Sequence, residues 1–133
     1  MKVVLDVNVL IASLLAPDSA PARLVLRWLA GDFELIISDK LVIELRRALS
    51  YRKLSRRVSE AEAAAFVHLV EASGTRISDP AKSPRRARDE GDDYLLALAA
   101  SSSSILVSGD RDLLNLSEDF PVYSPSAFLA RLE

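Results

Sequence analysis

Short runs rich in Val, Leu and Ile alternate with stretches of helical period, and this alternation constrains the fold more than any other feature. The apolar runs lie at residues 2–6, 34–37 and 105–108. A strand with one wet face alternates polar and apolar residues, whereas a strand apolar throughout is covered on both faces. Between the runs, helices are expected over 8–15, from Ser19 or Ala20 to Gly31, from Ser38 to about Ser50, and from Ser59 to about Ala72. Further helices are expected from about 93 to Ser103 and over 110–116, and the chain closes on the helix SPSAFLARLE. A weak strand at 75–78 and a last short one at VYS, 122–124, complete the reading. Strands alternating with helices in this way predict a three-layer α/β/α sandwich with a central, mainly parallel sheet of about four to five strands. In such sheets, sites form at the carboxyl ends of the strands, where the strand order reverses.

At 133 residues the chain is expected to be one domain, 1–133. No run of about 18 apolar residues reads as a membrane span, and the N-terminus lacks the layout of a signal peptide, so a cytoplasmic protein without a membrane partner is expected. There is no cysteine and one histidine, His68. Disulfides, thiol catalysis and zinc sites built on Cys or several His are therefore excluded. His68 lies among alanines and reads as a surface or packing residue. Chemistry must rest on carboxylates, hydroxyls and amines. The net charge of −2 rules out a bulk polycation.

Several carboxylates stand where they need a reason. Asp6 and Asn8 interrupt VVLDVNVLI, at the end of the first apolar run. Asp6 reads either as a cap for the following helix or as a site residue. Glu44 lies on or beside the apolar stripe made by Leu41, Leu45, Ala48 and Leu49, with Arg46 and Arg47 on the opposite side. An unpaired buried carboxylate is costly, so Glu44 needs either a cation partner at the stripe's edge or a cleft. Asp92 and Asp93 open an apolar helix, where acids suit the helix dipole, but DEGDD places four acids within five residues. Asp110 and Asp112 follow the run at 105–108. Several carboxylates without His or Cys make a hard-oxygen set, suited to Mg²⁺ or Mn²⁺. Such ions serve phosphodiester hydrolysis.

These motifs resemble those of the PIN-domain ribonucleases, including the VapC-like toxins of toxin–antitoxin pairs. The resemblance runs from VVLDVNVL through SDKLVIEL and DDYLLALA to ILVSGDRDLL and SPSAFL. It implies that Asp6, Glu44, Asp93 and Asp110 are the four acids that hold Mg²⁺ or Mn²⁺ and carry catalysis. Asn8, Ser38 and Ser108 would support them, and Asp92 or Asp112 would substitute or assist. Val7 replaces the family's usual Thr, and Ser108 replaces another Thr while keeping the hydroxyl. The implied activity is metal-dependent cleavage of single-stranded RNA. The implied partners are a cognate antitoxin, whose tail inserts an Arg or Lys into the acidic pocket, and a second copy of the chain in a homodimer.

Two basic segments would then meet RNA phosphates or the antitoxin. The first holds Arg46, Arg47, Arg52, Lys53, Arg56 and Arg57 with Tyr51, and the second holds Lys82, Arg85, Arg86 and Arg88. Two rival readings stay open. DVNVL loosely resembles the nucleophile motif of haloacid-dehalogenase-type phosphatases, although Asn8 stands where that motif needs a second Asp. The other rival is a non-catalytic module of the same fold that binds RNA or a partner.

Overall fold

The computed structural model describes residues 1–81 and 90–133, the side chains of 90–92 excepted. The elements follow one another as β1 (Lys2–Leu5), α1 (Val7–Leu15), α2 (Ala20–Leu29), β2 (Glu34–Ile37), α3 (Asp39–Leu49), α4 (Arg52–Ser55) and α5 (Glu60–Ser73). They continue as β3 (Thr75–Arg76), α6 (Glu90–Ser101), β4 (Ile105–Val107), α7 (Arg111–Leu114), β5 (Val122–Tyr123) and α8 (Pro125–Leu132). The expected alternation is present, with most ends displaced by a residue or two, as frayed termini allow; α6 begins at Glu90, three residues earlier than expected. Residues 51–57, a basic segment in the sequence, contain the short helix α4.

All four strand pairings are parallel, in the order β3-β2-β1-β4-β5. The chain builds outward from β1 to β2 and β3, then crosses back to place β4 on the other side of β1. The order therefore reverses at β1 and β4, and the expected place for a site is the carboxyl edge between these two strands. Val3, Val4, Leu5, Leu106 and Val107 are fully buried or nearly so, as strands covered on both faces must be. The core extends through Trp28 of α2, Leu41 and Leu45 of α3, Leu98 of α6 and Phe128 of α8.

Caps set the helix starts. Ser19, Ser38, Ser59 and Ser124 each accept a hydrogen bond from a backbone N–H of the helix that follows, and Ser59 forms a reciprocal capping box with Glu62. Gly31, with φ of 90°, stops α2. Its N–H donates to the Trp28 carbonyl and that of Asp32 to the Arg27 carbonyl, the paired bonds that a left-handed residue makes possible. Val7, in the place of the family's usual Thr, opens α1 and packs against the core.

The outer strand β3 is held by charges. Arg76 pairs with Asp39 of α3 and with Glu71 of α5, and Arg46 of α3 pairs with the same Glu71 at 2.7 Å. No single helix among the described residues is long and apolar enough to cross a membrane. The pair α1 and α2 is so only jointly, across a bend of 101°.

Gly74 ends α5 where the chain passes close to β2. A Cβ there would stand 2.6 Å from the Val70 carbonyl oxygen and 3.0 Å from Ile37 Cδ1. Replacing Gly74 by Ala should therefore destabilise the fold by about 1–3 kcal/mol, read from urea unfolding. An unchanged midpoint would show that the backbone yields there without cost.

Candidate metal centre

The strand edge at β1 and β4 places two side chains together. The Asp6 N–H donates to the Val107 carbonyl at 2.9 Å, and the Ser108 N–H donates to the Tyr123 carbonyl at 3.0 Å. Each residue is thus the first beyond its strand, held by one more rung of the ladder. The Ser108 hydroxyl donates to one Asp6 carboxylate oxygen at 2.7 Å, and the Asn8 N–H donates to the other at 3.2 Å. Ser108 Oγ in turn accepts from the Asp110 N–H at 3.0 Å, and the Asp110 carboxylate caps α7 by accepting from the Asp112 N–H at 2.8 Å. Asp6 and Asp110 are therefore helix caps, and the cap reading of Asp6 is correct as far as it goes.

Capping does not account for where Asp6 sits. Asp6 is only 7% exposed, yet it lines a shallow cavity of about 400 Å³ with Asn8, Val9, Ala12, Pro21, Gly109, Asp110 and Pro125. Burial pushes its carboxyl above the ordinary 3.8, and the charge of Asp110 adds to this. The bonds from Ser108 and Asn8 work in the opposite direction but do not cancel the rise. Two carboxylates thus face one cavity, one of them desolvated, and a cation there would relieve both costs. The donors are hard oxygens, and Mg²⁺ is commonly held by one or two carboxylates with the rest of its shell as water. These residues fit Mg²⁺ or Mn²⁺.

Neither of the other two acids lines this cavity. Asp93 is buried in α6 and does not line the cavity. Glu44 is half-exposed and pairs with Arg47 at 3.5 Å. The sequence pattern puts Arg47 on the opposite side of α3, but residues three apart on a helix are neighbours, and its side chain reaches back. Among the described residues, no three His, Asp or Glu side chains converge closely enough to hold a metal. The side chain of Asp92 lies outside the described residues, as do Lys82, Arg85, Arg86 and Arg88.

Ser38 holds a polar group that the sequence does not reveal. It is fully buried, caps α3 through the Leu41 N–H at 3.3 Å, and hydrogen-bonds the Tyr94 hydroxyl. Tyr94 donates to Asp79 at 2.6 Å, the Lys40 N–H donates to the other Asp79 oxygen at 3.0 Å, and the Lys40 ammonium lies 4.2 Å from the Tyr94 ring centre. Burial opposes the ionised form of Asp79, but these bonds and the Lys40 charge outweigh it and hold the carboxyl below 3.8. Burial and the Asp79 carboxylate push the Tyr94 hydroxyl well above its usual range. The group ties the start of α3, which carries Glu44, to the residue beside Asp93. In the sequence, Asp79 reads only as part of a loop, and Tyr94 only as one more residue of an apolar helix.

His68, expected at the surface or in packing, is exposed on the rim of a larger cavity of about 520 Å³ between α3, α4 and α5. That cavity holds none of the four candidate acids.

Residues 2–112 match the PIN domain family. The chain belongs to this family. All four candidate acids fall within the matched range. An uncharacterised protein of Methanocaldococcus jannaschii, MJ1680, is 24% identical over 127 residues, which cover 90% of this chain and 77% of that protein. Among solved structures, PAE2754 from Pyrobaculum aerophilum superposes with a TM-score of 0.68 at 22% identity, covering 99% of this chain and 89% of its own. VapBC2 from Rickettsia felis, solved bound to a DNA fragment from its promoter, gives 0.66 at 14% identity, covering 93% of this chain and 98% of its own. At these identities the two structures speak to the fold alone, and both agree with the α/β sandwich described above. PIN domains are generally nucleases and usually use divalent metals.

The charges of this PIN domain should be visible in its stability. An acid whose folded pKa is raised stabilises fully below its unfolded value and loses that contribution as pH rises through the folded one. Metal-free Asp6→Asn protein should therefore be more stable than wild type at pH 7, with the gain shrinking toward about pH 4, in urea unfolding at both pH values. A gain that persists at the lower pH would mean that charge burial is not its source. Tyr94→Phe, which strips the hydroxyl from the Ser38–Asp79 group, should cost about 1–3 kcal/mol in the same assay.

Proposed function

We propose that this PIN domain is a Mg²⁺- or Mn²⁺-dependent endoribonuclease that cuts single-stranded RNA and acts as the toxin of a toxin–antitoxin pair. The observation that carries the reading is Asp6: a desolvated carboxylate held by two neutral donors, beside Asp110, at the strand edge where the sheet order reverses. A purely structural acid would gain from a cation of the protein itself. Asp6 has Ser108 and Asn8 instead, and it opens onto a cavity.

Asp6 and Asp110 would hold the ion; Glu44 of α3 and Asp93 of α6, which do not line the cavity, are the acids that the family pattern would add to them. When bound, the ion would polarise the phosphodiester and lower the pKa of water at the site. Ser108 fixes the Asp6 carboxylate and, through the Asp110 N–H, the turn that carries the second acid. Asn8 lines the cavity and would orient a phosphate oxygen with its amide. Arg46 and Arg47 are engaged by Glu71 and Glu44, so RNA or antitoxin contacts fall first to Arg52 and Lys53. A protein antitoxin and a homodimeric assembly are the partners this reading calls for. The promoter-bound complex of Rickettsia felis supports an antitoxin of the kind that binds DNA with its toxin.

The test is cleavage of a mixed RNA pool with Mg²⁺ or Mn²⁺. Asp6→Asn and Asp110→Asn should each lose more than the roughly 10–100-fold typical of groups that only support a metal ligand. Equal activity of wild type and Asp6→Asn would sink the site assignment. Thermal melts give a second readout: an ion at about 100 times its Kd should add about 2.7 kcal/mol to wild-type stability, and far less to Asp6→Asn. A wild-type melt indifferent to both ions would overturn the metal centre.

A further inference from the structure

An acidic centre repels the polyanion it is to cut, so affinity for RNA has to come from somewhere else on the surface. The protein as a whole carries a net charge of −2 and offers no general attraction. Cations that are already paired are poor candidates. Among the described residues, ion pairs engage Arg27, Arg46, Arg47 and Arg76, and none involves Arg52, Lys53, Arg56 or Arg57. These four lie within six residues, all exposed, with no acid between them. Leu54 packs against the core and Val58 is buried, so the segment is anchored from within while its charges face outward. Tyr51 heads it, a large aromatic that is 59% exposed.

The segment also has a fixed relation to Asp6. Arg57 Nη2 donates to the carbonyl of Leu15, the last residue of α1, at 3.5 Å. Asp6 caps the other end of the same helix. Nine residues of α-helix rise about 13 Å. Asn8 and Ala12, one turn apart on α1, line the cavity that holds Asp6.

We infer that residues 51–57 form a subsite for single-stranded RNA, which holds the strand to one side of the scissile phosphate at a spacing set by α1. Arg52, Lys53, Arg56 and Arg57 take phosphates and Tyr51 stacks on a base, the combination by which single strands are bound with little reading of base edges. The inference rests on the ribonuclease reading above, and its test separates the two.

Fluorescence anisotropy with a labelled single-stranded RNA of about 16 nucleotides measures binding in EDTA, on an Asp6→Asn background that cannot cleave. Changing Arg52 and Lys53 to Gln, or Arg56 and Arg57 to Gln, should each weaken binding about tenfold at low salt. Each should also flatten the slope of log K against log salt by about 1.4, near 0.7 for every phosphate no longer neutralised. The charge-matched control, Lys2→Gln with Arg131→Gln, should shift affinity by less than about twofold. Tyr51→Ala should weaken binding without moving the slope, and Tyr51→Phe should restore it. If both charge pairs match the control while the parent still binds RNA, the subsite is overturned and the ribonuclease reading stands; a segment that docks a protein instead would give this result. A parent that binds no RNA would overturn the subsite and leave the ribonuclease reading to the metal-dependent cleavage assay.

Discussion

The hydrogen-bonded junction between the ends of β1 and β4 is the constraint on which the rest of the structure depends. Parallel pairing carries the Asp6 amide onto the Val107 carbonyl, and the same register brings the Ser108 hydroxyl onto the Asp6 carboxylate. Every residue of the candidate centre is placed relative to that junction. Asn8 and Ala12 follow on α1, Gly109 and Asp110 follow Ser108, and Pro21 and Pro125 enter from the first turns of α2 and α8. Backbone bonds between buried strands are among the least deformable parts of a protein, which suits a site that must hold like charges close together.

Much of this is legible in the sequence because it is written locally. Apolar runs within 2–6 and 105–108 specify buried parallel strands, and Ser19, Ser38, Ser59 and Ser124 cap helices through backbone N–H groups three residues on. Asp6, Asn8, Ser108 and Asp110 are legible because each closely follows a strand, where topology alone brings them together. What cannot be read is side-chain reach and long-range pairing. Arg47 bends back to Glu44 because three residues of helix are no barrier to a flexible side chain. The Ser38–Tyr94–Asp79 group joins three segments 15 and 56 residues apart in the chain, and no local pattern signals it. Asp79 looks like any acid before a proline.

The two polar groups differ in how their charges are balanced. Asp79 is ionised comfortably, with a tyrosine hydroxyl, a backbone N–H and Lys40 around it. Asp6 is ionised at a cost, with neutral donors and another acid as its neighbours. The first arrangement is that of a fastening between elements. The second gives up stability at a place where a ligand can return it.

The outer edges of the sheet carry a different consequence. Strand β3 is two residues long, flanked by the chain of charges from Asp39 through Arg76 and Glu71 to Arg46. At the other edge β5 is also two residues long and follows Pro121, which has no N–H to offer. Neither edge presents a run of backbone groups long enough to recruit a strand from another molecule. Edges this short disfavour association by sheet extension. Surfaces away from the sheet edges are then where a partner would be recognised, and there sequence change can retune specificity without disturbing the sheet.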